Sequence, residues 1–182
     1  SVSEKGFLQD VRHNLWECFF ITHSLRKDLP MKLTTIIPVH NAEKYITATL
    51  DSVLQQDLGN PEELEVICVD DASTDASVAL IKDYQQKDSR IRLFLNEKTR
   101  FAGACRNKGI EEAHGDYLHF LDADDLVEKG VYQKYLSIAE QADADMVKGC
   151  AVCFDNETGE LSDTPLFALS DVPAECFDKV LS

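Results

Sequence analysis

The chain has 182 residues, 44% of them apolar, which is enough to bury one sizeable core, so one domain or most of one is expected. Its 18 Lys and Arg against 33 Asp and Glu give a formal charge of −15. That excludes a nucleic-acid surface, which needs clustered cations, but leaves open a small phosphate-bearing ligand, because a divalent cation held by carboxylates reverses the local charge.

The sequence opens on Ser1, and Met31 stands directly before the first strong strand pattern. Residues 1–30 are therefore expected to form a helical N-terminal extension bounded by Pro30, with residues 31–182 as the main domain. Phe7, Leu8, Val11, Leu15 and Phe19 have helical spacing, followed by Arg26 and Lys27. Packing against the domain or a neighbouring segment is the favoured role, and peripheral association with a membrane surface the second. No run approaches the roughly 20 apolar residues that span a bilayer. The longest, Leu15 to Ile21, is interrupted by Glu17.

From residue 33 short apolar runs alternate with helix-period segments. Leu33–Ile37 predicts a strand, followed by a helix with Asn41 as N-cap, Glu43 in its first turn, and Tyr45, Ile46, Thr49, Leu50, Val53 and Leu54 along one face. Leu64–Val69 predicts the second strand, and Ser73 or Thr74 caps a helix carrying Val78, Ile81 and Tyr84. Strands at Ile91–Leu95 and Tyr117–Leu121 bracket a helix over Phe101–Ala113. A helix over Val131–Ala139 and a strand over Asp145–Val147 follow, and beyond Cys153 the periodicity fades. Strands buried on both faces and separated by helices imply βαβ crossovers, hence an α/β fold with a mainly parallel central sheet flanked by helices.

The six cysteines sit mostly in apolar runs, where a thiol packs as a small hydrophobe, and Cys150-Ala151-Val152-Cys153 lacks the second Cys/His pair of a zinc site. Reduced thiols point to a cytoplasmic location, at the inner face of the membrane if residues 1–30 bind it.

In an open parallel sheet, ligands bind beyond the carboxyl ends of the strands. Here the first strand runs into Pro38-Val39-His40-Asn41, the second into Asp70-Asp71-Ala72-Ser73-Thr74-Asp75, and the fourth into Asp122-Ala123-Asp124-Asp125. Asp71 before Ser and Thr alone reads as a turn and a cap, and a single DxD as a solvated loop. His40 and His119, without paired partners, read as structural. So many carboxylates at one edge are another matter, because they repel unless a cation or hydrogen-bond donors compensate.

These motifs carry a resemblance. Thr35-Ile36-Ile37-Pro38-Val39-His40-Asn41-Ala42-Glu43-Lys44-Tyr45-Ile46 resembles the opening of family 2 glycosyltransferases, and Val69 to Asp75 is similar to their second motif, which usually has Gly where this chain has Ala72. Gly103-Ala104-Cys105-Arg106-Asn107-Lys108-Gly109 and Gly115 to Asp125 match the third and fourth, over about residues 32–150 in all. The resemblance implies a Rossmann-like GT-A domain, comprising the nucleotide-binding half and incomplete on the acceptor side. It implies metal-dependent, inverting transfer of a sugar from a nucleotide-diphosphate donor, UDP-based, to a glycan or lipid-linked acceptor in bacterial polysaccharide biosynthesis.

Residue by residue, it implies that Pro38 and Val39 line the nucleotide slot, Glu43 approaches the base or ribose, and Asp71 accepts a hydrogen bond from the pyrimidine. Asp122, Ala123 and Asp124 belong to the nucleotide site, with Asp122 near the ribose. Asp124, together with Asp122, holds Mg²⁺ or Mn²⁺ on the diphosphate, and hard carboxylate oxygens suit that role. Arg106 either assists with phosphate or forms a structural salt bridge. The acceptor-activating general base has no recognisable motif here, although Asp155, Glu157, Glu160 and Asp163 follow in a loop-like stretch. The chain alone is therefore expected to bind the donor but transfer poorly.

Two alternatives are weighed. The first is a nucleotide-sugar-binding domain without transfer activity. The second is a haloacid-dehalogenase-like phosphotransferase, whose nucleophile strand resembles Phe120 to Val127. That family wants Thr or Val where Asp125 stands, and places its motif near the start of its domain. A dinucleotide-binding dehydrogenase is excluded because no Gly-rich turn follows the first strand.

Overall fold

The computed structural model describes residues 18–21 and 32–148. The chain divides into two compact units, Ser1–Val147 and Lys148–Ser182. In chain order the described elements are β1 (Cys18–Ile21), β2 (Leu33–Val39), α1 (Ile46–Leu54), β3 (Leu64–Asp70), α2 (Ser77–Lys87), β4 (Ile91–Leu95), α3 (Phe101–Glu112), β5 (Tyr117–Phe120), α4 (Val131–Ala142) and β6 (Met146–Lys148), with a 3₁₀ turn at Pro61–Glu63 before β3. The sheet order is β4-β3-β2-β5-β1-β6. β2, β3, β4 and β5 run parallel, with Val39 opposite Asp70 and Asp70 opposite Leu95, so their carboxyl ends share one edge.

The sheet is covered on both faces, as the unbroken apolar strands require. On one side Val66, Cys68, Leu33 and Ile37 meet Ile46, Leu50 and Val53 of α1, Ile81 of α2, and Tyr132, Leu136 and Ala139 of α4. On the other, Ile36, Ile67, Val69 and Leu118 pack under α3 through Cys105 and Ile110. Gly109 lets α3 come down onto β2, where a Cβ would run into the Ile36 side chain. A buried polar cluster crosses the first core. Tyr132 Oη lies 2.9 Å from Thr35 Oγ1 and 2.8 Å from His119 Nδ1, and burial pushes the His119 imidazole down to about 3. His119 is thus a neutral core histidine.

Pro38 decides where the sheet opens. Lys32 and Ile36 of the same strand parity offer their carbonyls to Tyr117 and Leu121, so the missing Pro38 N–H faces β5. Pairing between β2 and β5 ends at Ile36 and Phe120, while pairing with β3 continues to Val39. A crevice therefore starts between β2 and β5, where the strand order reverses.

Three sequence expectations are corrected. Phe19, read as part of a helical face, lies in a strand paired antiparallel to β5 opposite His119. The rest of that reading falls outside the described residues. Asn41 is not a cap, because α1 begins at Ile46 after Tyr45, and neither Ser73 nor Thr74 caps α2, which begins at Ser77 after Ala76. The Asn41, Ser73 and Thr74 side chains are instead bonded to a donor or acceptor in the other loop.

Candidate functional site

The β2–α1 loop and the β3–α2 loop are stitched across about thirty residues of sequence. Asp71 N–H donates to the Val39 carbonyl at 2.7 Å, Asn41 N–H to Ser73 Oγ at 2.9 Å, Ala42 N–H to Ser77 Oγ at 2.8 Å, and Glu43 N–H to Asp75 Oδ2 at 3.0 Å. The bonds are returned: Thr74 N–H donates to Asn41 Oδ1 at 2.9 Å and Ala76 N–H to Glu43 Oε2 at 3.0 Å. Asn41 and Glu43 thus cap the neighbouring loop rather than their own helix. His40 Nδ1 lies 2.8 Å from the Asp71 carbonyl.

Asp71 holds a third loop. Its carboxylate, only 4% exposed, accepts the backbone N–H groups of Arg100 and Phe101, both at 2.8 Å, and the Asn96 amide at 3.0 Å. Burial alone would raise this carboxyl, but donation from Arg100, Asn96 and Phe101 outweighs it and holds the group below the usual carboxylate range. Beside it, Asp70 Oδ2 accepts the Ser73 N–H at 3.0 Å, while Oδ1 is buried without a partner among the described residues.

Backbone strain concentrates on the same edge. Of the four described non-glycine residues with positive φ, three stand here: Asn41 at 52°, Ala72 at 59° and Phe101 at 66°. Asn tolerates this region, but for Ala and Phe it costs roughly 1 kcal/mol or more. Where the family's motif usually has Gly, Ala72 adopts the conformation that explains the preference.

The loop after β5 differs. Ala123 is buried in the core, and its carbonyl accepts Thr49 Oγ1 at 2.8 Å. It anchors the acidic loop and turns its methyl away from the edge. Arg106 Nη2 donates to Asp122 Oδ1 at 2.6 Å, so the salt-bridge alternative for Arg106 is the one seen here. Burial, then the charges of Asp124 and Asp122, push Asp125 up to about 6. Asp124 is exposed and accepts no hydrogen bond among the described residues. Pro38 and Val39, at the end of β2, are both buried, with Val39 1% exposed.

The residues picked out along the sequence are therefore together on one edge, but in unequal roles. Sequence reasoning passed over Asn96 and Arg100, whose positions are set by Asp71. It could have found them from the need of a buried carboxylate for donors. The opposite edge carries a cavity of about 410 Å³ lined by Lys32, Leu64, Arg90, Arg92, His114 and Gly115, but its arginines are already paired, Arg92 with Glu65 and Glu112, and Arg90 with Asp88.

A three-layer α/β/α unit with a switch-point crevice and acidic loops at the carboxyl edge defines a GT-A-type domain. The chain belongs to glycosyl transferase family 2, which matches residues 34–175. It is similar to an uncharacterized glycosyltransferase of Haemophilus influenzae, 36% identical over 129 residues that cover 71% of this chain and 50% of that one. Among solved structures it resembles Staphylococcus aureus TarS 1-349 in complex with UDP, with a TM-score of 0.59 and 32% identity over 63% of this chain and 34% of that one. It also resembles the mannosyltransferase PcManGT from Pyrobaculum calidifontis in complex with GDP-Man and Mn²⁺, with a TM-score of 0.55 and 26% identity over 65% of this chain and 34% of that one. The chain spans half or less of the length of the relatives it matches. Family membership sets aside the phosphotransferase alternative. No described helix is long and apolar enough to cross a membrane.

Proposed function

We propose that this chain binds a uridine diphosphate sugar across the ends of β3, β2 and β5, as the donor half of an inverting, metal-dependent glycosyltransferase. The observation that carries the reading is the division of labour along that edge: a stitched region in which donors satisfy the Asp71 carboxylate, and an acidic loop at Asp122–Asp125 that holds three carboxylates against the one guanidinium of Arg106. Strands lie about 4.8 Å apart, so the two are separated by roughly 10 Å, a span that an extended nucleoside diphosphate covers. The base belongs at the Asp71 end, and the diphosphate at the Asp124 end.

An anionic diphosphate cannot enter the acidic loop without a compensating cation. The donor set fits Mg²⁺ or Mn²⁺, with Asp124 as the available hard oxygen ligand. Asp122 contributes through whichever oxygen Arg106 leaves open. Among the described residues no three metal-ligating side chains gather into a cage, which suits an ion that completes its coordination with substrate phosphates and water. Bound there, the ion supplies a Lewis acid for the charge that grows on the departing diphosphate. Glu43 faces the base or ribose side only to the extent that its bond to Ala76 allows. The acceptor, a glycan or lipid-linked saccharide, approaches from the open side of the β5 loop.

Calorimetry with UDP tests this reading. Affinity should rise on adding Mn²⁺ and fall back on chelation. Equal binding in both conditions would remove the metal from the proposal, and no binding in either would remove the donor. Release of UDP from UDP-sugars, with and without candidate acceptors, separates transfer from a donor-binding role alone.

A further inference from the structure

The sites above leave one feature of the carboxyl edge without a purpose. Phe101 is 79% exposed, the most exposed large hydrophobic among the described residues, yet it occupies the first position of α3 at a φ of 66°. Both facts disfavour Phe there. A turn of this hand suits Gly or Asn, and an exposed ring gains nothing from burial. The backbone is nevertheless fixed, because Asp71 Oδ2 accepts the Phe101 N–H and Asp71 Oδ1 accepts that of Arg100. A residue in a sparsely populated conformation, held by a buried carboxylate, is the signature of a clamp on a ligand.

Its surroundings fit. Among the described residues, four of the five exposed large hydrophobics flank the carboxyl edge: Tyr45 after the β2 loop, Leu95 at the end of β4, Phe101, and Leu126 after the acidic loop. Asp71, which directly follows β3, accepts the Phe101 N–H, so the Phe101 backbone stands at the carboxyl end of β3. That is the end assigned above to the base. The other end of the site carries the carboxylates of Asp122, Asp124 and Asp125 and the Arg106 guanidinium, which have no use for an apolar plane.

We infer that the Phe101 ring is an aromatic wall on which the donor's nucleobase stacks, making it a determinant of donor affinity that acts on the base and not on the diphosphate. The inference rests on the donor reading above. Stacking of this kind is tolerant of base identity, since every base presents a π-face, so Phe101 sets affinity more than the choice between pyrimidine and purine.

The test uses the 182-residue chain with UDP and, separately, inorganic pyrophosphate, both with Mn²⁺. Phe101→Gly removes the ring and relieves the backbone, so its melting temperature should equal or exceed that of the parent. Its UDP affinity should nevertheless fall on the order of tenfold, with pyrophosphate affinity unchanged. Phe101→Trp should keep UDP affinity. A Phe101→Gly chain that binds UDP as well as the parent overturns the inference while leaving the donor reading intact. Equal losses for UDP and pyrophosphate also overturn it, by showing that the ring acts on the phosphate end or the fold. A parent chain that binds pyrophosphate but not UDP sinks the donor reading itself, and this inference with it.

Discussion

The two ends of the carboxyl edge are built on opposite principles. Around Asp71 almost every polar group is spent: three loops exchange backbone and side-chain hydrogen bonds, and three N–H donors satisfy the carboxylate and hold it ionised. In the loop after β5 Asp122, Asp124 and Asp125 fall within four residues of sequence, and among the described residues only Asp122 is paired, with Arg106. The first region is finished before any ligand arrives. The second carries an excess of negative charge. A pocket for a neutral base can be pre-organised by protein donors alone, whereas a pocket for a diphosphate must keep charge in reserve for its cation.

The largest effect should come from the finished end. Asp71→Ala deprives Asn96, Arg100 and Phe101 of their acceptor and should cost about 2–3 kcal/mol of stability, read as a lower urea midpoint. UDP affinity should fall with or without Mn²⁺, because the loop that carries Phe101 loses its anchor. Asp71→Asn, which keeps one acceptor oxygen, should recover part of both. An unchanged midpoint would mean that the loop is held by something other than Asp71.

Asp124→Ala sharpens the contrast from the other side. Its side chain is exposed and supports nothing in the fold, so stability should move by no more than about 0.5 kcal/mol. The Mn²⁺-dependent gain in UDP affinity, on the order of tenfold or more, should disappear. If Asp124→Ala instead destabilises the chain as Asp71→Ala does, the division between a finished and an unfinished end fails.

The floor beneath the acidic loop gives a pH signature. The folded chain holds His119 neutral down to about 3, whereas an unfolded histidine protonates near 6.5. The stability contributed by neutral His119 is therefore fully present above pH 6.5 and is lost as pH falls through that value. Between pH 7.5 and 5.5 the His119 share of the loss should be about 1.4 kcal/mol, offset in part by Asp125, which at about 6 takes up a proton in the fold over the same window and so adds stability as pH falls. His119→Gln should flatten this slope. A slope that survives in the variant would place the titrating group elsewhere.

Much of this arrangement was legible in the sequence, and the reason is physical. A buried parallel strand must be apolar on both faces, so Leu33–Ile37, Leu64–Val69 and Tyr117–Leu121 announce themselves, and the residues that follow them must share an edge. The sequence could not show which partner each polar residue takes. Asn41, Ser73 and Thr74 satisfy local capping rules, but their actual partners lie 32 or 33 residues away, and local rules see only the next turn. Asp71 drew attention as a ligand contact for the same reason that it is a clamp, since both roles need a carboxylate at a strand end. Phe19 fitted a helical spacing, yet its strand is four residues long and its partner lies a hundred residues downstream, so neither its period nor its neighbours could reveal it.

The smallest expected effect tests how finished the finished end is. Ala72 sits between Asp71 and Ser73 with φ at 59°, a conformation in which a Cβ costs roughly 1–2 kcal/mol. Ala72→Gly removes that cost but gives the unfolded chain more freedom, worth about 0.4–1 kcal/mol in the opposite direction. The first term is the larger, so the variant should be more stable by about 0.5–1 kcal/mol in urea denaturation. UDP affinity should not change, because the bonds joining residues 39–43 to residues 71–77 hold the loop in place whichever residue stands at 72. A gain in stability accompanied by weaker UDP binding would show that the strained turn itself helps to set the pocket. A loss of stability would show that the half-buried Ala72 methyl contributes more through packing than it costs through strain, and that the two loops rely on contact as well as on their hydrogen bonds.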